Sequence, residues 1–277
     1  MLNPYDPEVI QMKKAVFFDA DGTICDIQKG IPDSATRAVR QLTLNGHMAF
    51  LCTGRSRAFV TKELEEMGFT GIIAACGSYI EYQGKRVFNQ QMPPEIAEAS
   101  VRILRDCGMV PVMEGADYMY YDKEEYDDSV DWYASLITKA LGSRWKPIEG
   151  NLSSLEINKI SAKILPGSDP ESACCQLSTW YDAIHHEGSF VGTTIEFIPK
   201  GFSKALGIQV ICQALQIPWE DTVCFGDSNN DLAMFQYVHT KVAMGNASQP
   251  IKELADYITN DMFHYGIRNG LEYLQLI

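Results

Sequence analysis

Nowhere in the 277 residues is there an apolar run long enough to cross a bilayer, and the N-terminus lacks the apolar core of a signal peptide. These absences predict a soluble, cytoplasmic chain. None of the eight cysteines stands in a C-x-x-C pair. The adjacent Cys174 and Cys175 suit neither a zinc knuckle nor an easy disulfide, so reduced thiols are expected. Positive charge is scarce: 23 Lys and Arg against 36 Asp and Glu leave a formal net charge of −13. That balance argues against general binding to nucleic acid or an anionic membrane, and any anionic substrate must meet local positive charge. Repeats and low-complexity tracts are lacking too. What is present, 46% hydrophobic and 21% charged residues, is ordinary globular composition. The length suits about two domains.

Strand-like apolar runs recur at 15–18, 48–52 and 72–75, separated by helix-like stretches at 34–44 and 56–67 that close near Gly46 and Gly68. Strand alternating with helix predicts a parallel sheet with helical crossovers. The rhythm returns with a helix over 204–215 and strands at 222–225, 241–244 and 257–259. Between these regions lie short strands at 86–88, 110–114, 118–122, 157–165, 183–186 and 193–198. Helices fit at 93–107, 124–141 and 170–181. Several of these strands alternate polar with apolar residues, which predicts a sheet covered on one face only. The expected organisation is α/β, a parallel core built from 1–82 and 199–277 with an α+β module inserted over 83–198.

Four polar clusters interrupt this pattern. In AVFFDADGT, Asp19 and Asp21 follow a buried-looking strand that breaks at Gly22. Two acids there repel each other and lose solvation, and a divalent cation would offset both; an acidic surface turn is the alternative. An EF-hand is excluded by spacing, because its sixth position would be Ile24 and its twelfth Gly30. In CTGRS, the Thr53 hydroxyl and backbone N–H groups around Gly54 and Arg55 suit a phosphate oxygen, though taken alone the stretch reads better as a plain turn with Ser56 as helix cap. Ser203 can cap a helix whose first turn holds Lys204, against the helix dipole, which suggests a fixed anion nearby; a solvated lysine is the alternative. In VCFGDSNND, Asp227 could ligate a metal and Asp231 could orient Lys204, while a capped helix start accounts for one acid only. Ligands of open parallel sheets bind beyond the carboxyl ends of strands, where Asp19, Thr53 and Asp227 would share one pocket.

Taken in order, DADGT, the Thr of CTGR, Lys204 and GDSNND resemble the four motifs of the haloacid dehalogenase superfamily of phosphatases. The late lysine and the large insert between the second and third motifs resemble its Cof-type branch, which carries a C2B cap. The resemblance implies a Rossmann-like parallel core with an inserted α+β cap. It implies Asp19 as nucleophile and Asp21 as general acid and base. Mg²⁺ would be held by the Asp19 carboxylate, the Asp21 backbone carbonyl and Asp227. Thr53, Gly54, Lys204 and Asn230 would bind phosphoryl oxygens, with Asp231 and Arg55 in support. Ala20 and Cys76-Gly77 depart from common members, which have a larger apolar residue and Asn-Gly. The implied activity is Mg²⁺-dependent hydrolysis of a small phosphorylated metabolite, such as a sugar phosphate, through an aspartyl-phosphate. A phosphomannomutase-like phosphotransferase and a phospho-ligand-binding protein without turnover are the alternatives. A mutase would need a basic cluster in the insert for a second phosphate, and none is evident there. Glu114, Asp117 and Tyr118 are the candidate substrate contacts of the insert.

Overall fold

The computed structural model describes residues 13–125, 140–189 and 192–277. Every residue of β1 (Ala15–Phe18) is buried, and its side chains divide by parity. Val16 and Phe18 pack toward α1 (Asp33–Leu44), and Ala15 and Phe17 face the opposite layer. A strand apolar on both faces belongs in the middle of a doubly covered sheet. After α1 the chain forms β2 (Met48–Cys52), the short α2 (Lys62–Glu65) and β3 (Gly71–Ala74). A hairpin of β4 (Tyr79–Tyr82) and β5 (Lys85–Asn89) follows, turning through Gln83 and Gly84, both left-handed.

The chain then crosses into a second layer. It comprises α3 (Pro94–Asp106), β6 (Val110–Glu114), β7 (Met119–Tyr120), β8 (Trp145–Lys146), β9 (Lys159–Lys163), α4 (Pro170–Leu177), β10 (Tyr181–Ser189) and β11 (Gly192–Pro199). It returns through α5 (Lys204–Leu215), β12 (Thr222–Gly226), α6 (Leu232–Tyr237), β13 (Thr240–Ala243), α7 (Gln249–Leu254), β14 (Tyr257–Ile258) and α8 (Gly266–Tyr273).

The first sheet runs β14-β13-β12-β1-β2-β3-β4-β5, parallel throughout except for the hairpin at its edge. Helices α1 and α8 cover one face; α5, α6 and α7 cover the other. Strand order reverses between β1 and β12, whose register pairs Phe18 with Phe225. Beyond that pair the two strands end together, opening a crevice of the kind in which doubly wound sheets bind ligands.

The second sheet runs β10-β11-β9-β6-β7-β8 and is antiparallel but for β7 and β8. Along β9, Ile160 and Ala162 pack against the α3 and α4 layer, while Lys159, Ser161 and Lys163 line the opposite side. That alternation is the one the sequence predicts for a half-covered sheet.

Two expectations are corrected. The strand expected at 86–88 within the insert is β5, paired in the first sheet, so the chain leaves that sheet after Asn89 instead of at residue 83. The β4–β5 hairpin carries the insert boundary with it, because Ile80 and Phe88 pack with the core beside α5. The single helix expected over 56–67 is a 3₁₀ turn at Arg57–Phe59 followed by α2. Val60 and Thr61, both β-branched, take extended conformations between them. The helix expected over 124–141 falls largely on residues outside those described.

Candidate active site

The end of β1 delivers Asp19 into the crevice, its N–H donating to the Phe225 carbonyl at 3.0 Å. Asp19 is buried, and its carboxylate meets Lys204 Nζ at 2.5 Å. Lys204 opens α5, where Ser203 caps the helix by accepting from the Leu206 N–H at 3.2 Å. The ammonium has three donors, and three acceptors surround it: Asp19, Asp231 at 2.6 Å and the Asn230 side-chain oxygen at 3.3 Å. Asp231 is fully buried. Its second carboxylate oxygen accepts from the N–H groups of Asp227 and Ser228, closing a capping box after β12. Thr23 donates to Asp227 at 3.0 Å. The turn after β1 comes so close that a Cβ on Gly22 would collide with the Asp227 carboxylate.

Negative charge is in excess here. Burial, followed by the Asp231 charge, holds the Asp19 carboxyl well above the usual carboxylate range despite Lys204. The same two causes push Asp227 up to about 7. Burial alone would lower Lys204, but Asp19 and Asp231 outweigh it and hold its pKa above the ordinary lysine value.

Thr53 and Gly54 follow β2. The Thr53 hydroxyl is buried and accepts from the Arg55 N–H at 3.1 Å. The carbonyls of Thr53 and Arg55 accept from the N–H groups of Cys76 and Ala75, at 3.2 and 2.7 Å. Ala75 and Cys76 are left-handed, which gives that loop its role: it braces the Thr53 turn. Asparagine is enriched in this conformation, and cysteine adopts it here. Arg55 grips Asp21 with two hydrogen bonds, 2.8 and 2.6 Å, while its guanidinium lies over the Phe59 ring at 5.0 Å. The Asp21 side chain is half exposed.

A cavity of about 380 Å³ lies between this floor and the second sheet. Asp19, Asp21, Gly54, Arg55 and Asn230 line it; Thr53, Lys204, Asp227 and Asp231 stand behind its wall. The sheet above contributes Glu114, Lys159, Ser161, His186, Thr194 and Glu196. Of the three contacts expected from the insert, Glu114 is present and two are elsewhere. Asp117 pairs with Arg86 at 2.7 Å, and Tyr118 packs against Tyr120 beneath Lys146. Both follow the end of β6, where the chain turns away from the cavity. Lys159, His186 and Glu196 are missed by the sequence reading. Their signal is a charged residue at alternate positions of an otherwise apolar strand, as in NKISAK and TTIEFI. Lys159 and Glu196 are 2.8 Å apart; burial would raise Glu196, but Lys159 pulls it down to about 2.

One carboxylate oxygen each from Asp19, Asp227 and Asp231 lies within 4.8 Å of the others. Because Asp231 is engaged by Lys204 and two backbone donors, Asp19 and Asp227 are the carboxylates left for a cation. An all-oxygen set with surplus negative charge fits a hard divalent ion such as Mg²⁺.

Residues 16–271 match the family model described as haloacid dehalogenase-like hydrolase. The chain is 32% identical over 268 residues to YkrA of Bacillus subtilis (strain 168), provisionally named a phosphatase, covering 95% of this chain and 98% of YkrA. Among solved structures it is similar to a protein of Geobacillus kaustophilus HTA426, with TM-score 0.81 and 29% identity over 96% of this chain and 100% of that one. The subclass IIB sugar phosphatase BT4131 is similar in fold, with TM-score 0.76 and 22% identity over 96% and 100% of the two chains.

Proposed function

The chain belongs to the haloacid dehalogenase-like hydrolases, and on that premise we propose that it is a Mg²⁺-dependent phosphomonoester hydrolase that works through a phosphorylated Asp19. The observation that carries this reading is the buried Asp19 carboxylate held by Lys204 at the shared end of β1 and β12, beneath a roofed cavity. Lys204 holds one carboxylate oxygen, leaving the other to attack phosphorus. As the new P–O bond forms, the bond to the leaving oxygen breaks, and Asp21 gives that oxygen its proton. Asp21 then takes a proton from water as the water attacks phosphorus, releasing inorganic phosphate and restoring Asp19. The Arg55 grip on Asp21 must loosen for the first transfer, and a phosphoryl group beside Arg55 would supply the competing anion. Thr53, the backbone around Gly54 and the Asn230 amide are the phosphate donors. Lys204 would join them by releasing Asn230, its longest contact.

Asp19, Asp227 and the Asp21 carbonyl would hold Mg²⁺, which when bound neutralises charge on the phosphoryl oxygens. The cavity volume suits a small leaving group, and its wall of serine, threonine, histidine and paired charges suits hydroxyls, as in a sugar phosphate. A resident second phosphate fits less well, because the buried Lys159 is neutralised by Glu114 and Glu196.

The test is to quench a single turnover of p-nitrophenyl phosphate with borohydride, which reduces an acyl phosphate to an alcohol. Mass spectrometry is expected to find homoserine at position 19, only with Mg²⁺ present. Turnover with Asp19 unmodified would overturn the mechanism.

A further inference from the structure

The turn that carries Thr53 is held from two directions. The carbonyls of Thr53 and Arg55 accept from the core loop at 75–76, whereas the Gly54 carbonyl accepts from the cap, from Lys159 Nζ at 3.1 Å. The Gly54 carbonyl and the Arg55 N–H belong to one planar peptide unit, so fixing one fixes the direction of the other. That N–H is the donor now on the Thr53 hydroxyl. Its orientation decides whether the turn offers an anion a hydroxyl alone or a hydroxyl and an N–H together.

Lys159 is well placed to set this unit. It is 1% exposed, and its ammonium lies 2.8 Å from Glu196 and 3.6 Å from Glu114. Ser161 donates to Glu114 at 2.5 Å, and His186 Nε2 lies 3.7 Å from Glu196. The ammonium is thus anchored to β6, β9, β10 and β11 together, and it moves only as the cap sheet moves. The preceding residue, Asn158, ties the same strand to the crossing chain, donating to the Asn89 side chain and the Gln90 carbonyl, both at 2.8 Å. One end of β9 therefore carries both the attachment of the cap and its grip on the turn.

We propose that Lys159 is a positioning residue that couples closure of the cap to the orientation of the Gly54–Arg55 peptide, so that the phosphate-binding turn is complete only beneath a closed cap. This rests on the phosphatase reading above. Two plainer roles compete: a contact to the leaving group, and a counter-charge for Glu114 and Glu196. Once both signs of charge are removed together, neither would alter the binding of a ligand that has no leaving group.

Orthovanadate is such a ligand, and its affinity for the full-length, Mg²⁺-loaded protein can be measured by calorimetry. Lys159→Met removes the donor but strands two carboxylates. The triple variant Lys159→Met, Glu114→Gln, Glu196→Gln removes both signs of charge and keeps the fold testable. In both, the vanadate dissociation constant is expected to rise at least about tenfold, the loss of one charge-assisted hydrogen bond, whereas Lys159→Arg stays within about threefold of wild type. A folded triple variant that binds vanadate within about twofold of wild type would overturn the proposal, since the coupling would then have no energetic content. Failure of the wild-type protein to bind vanadate or hydrolyse p-nitrophenyl phosphate would instead remove the phosphatase reading, and this proposal with it.

Discussion

At the residue scale, the site is a problem of excess negative charge with a partial solution built in. Lys204 meets two of three clustered carboxylates, Asp19 and Asp231, and burial still holds the carboxyls of Asp19 and Asp227 above the usual range. Asp19→Asn, a poor nucleophile, is expected to lose at least about 10³-fold in kcat; activity within tenfold of wild type would remove Asp19 from its role. Asp21→Asn is expected to lose about 10²–10⁴-fold while keeping its Mg²⁺-induced rise in Tm, because on the proposed reading only its backbone carbonyl would hold the ion. Asp227 supplies a pH dependence. Its folded pKa of about 7 exceeds its ordinary 3.8, so the metal-free fold binds a proton more tightly than the unfolded chain does. The contribution of Asp227 to the stability of the metal-free fold is therefore lost as pH rises from about 4 to about 7. Mg²⁺ must displace that proton, so the Tm shift from a fixed Mg²⁺ concentration is expected to be large at pH 8 and small at pH 5.5. An equal shift at both values would take Asp227 out of the metal set.

At the scale of elements, the Thr53 turn, proposed above to bind phosphate, is braced by a loop that does not line the cavity. Gly77 is left-handed, and a Cβ on it would run into the Ser203 carbonyl at the start of α5. Gly77→Ala is thus expected to lose at least about 2 kcal/mol by urea denaturation, and to lower kcat by displacing the helix end that carries Lys204. A variant as stable and as active as wild type would show the contact to be slack. This dependence also marks where sequence reasoning stops. Strands β1, β2 and β12 are legible because both their faces are apolar, and α5 because Ser203 caps it. The 56–67 stretch is not, since Val60 and Thr61 interrupt a pattern that otherwise has helical spacing. Nor is the side of the boundary on which β5 falls: its place is set by pairing with β4, a choice invisible in KRVFN alone.

At the scale of the whole molecule, the proposed reading draws chemistry from one sheet and recognition from the other. The floor was readable from four motifs because each joins a strand end to crowded polar residues. The roof was not, because alternation in β9 and β11 announces two faces without saying what the polar one meets. The engagement of the roof's buried lysine by two glutamates bears on the reaction. Incubation with a hexose phosphate is expected to release inorganic phosphate with no isomeric sugar phosphate, and accumulation of the isomer would favour a mutase. The pairing of β1 with β12 has a consequence for synthesis. The contact between Lys204 and Asp19 spans 185 residues, and that between Thr23 and Asp227 spans 204. On the ribosome β1 emerges long before the strand that will lie beside it, and it waits with one edge unpaired. The cap, whose described strands pair only with one another, is free to fold in the interval. The nascent chain thus finishes its lid before its floor, and it has no means of consuming cellular phosphate esters until the segment beyond Gly226 has been made.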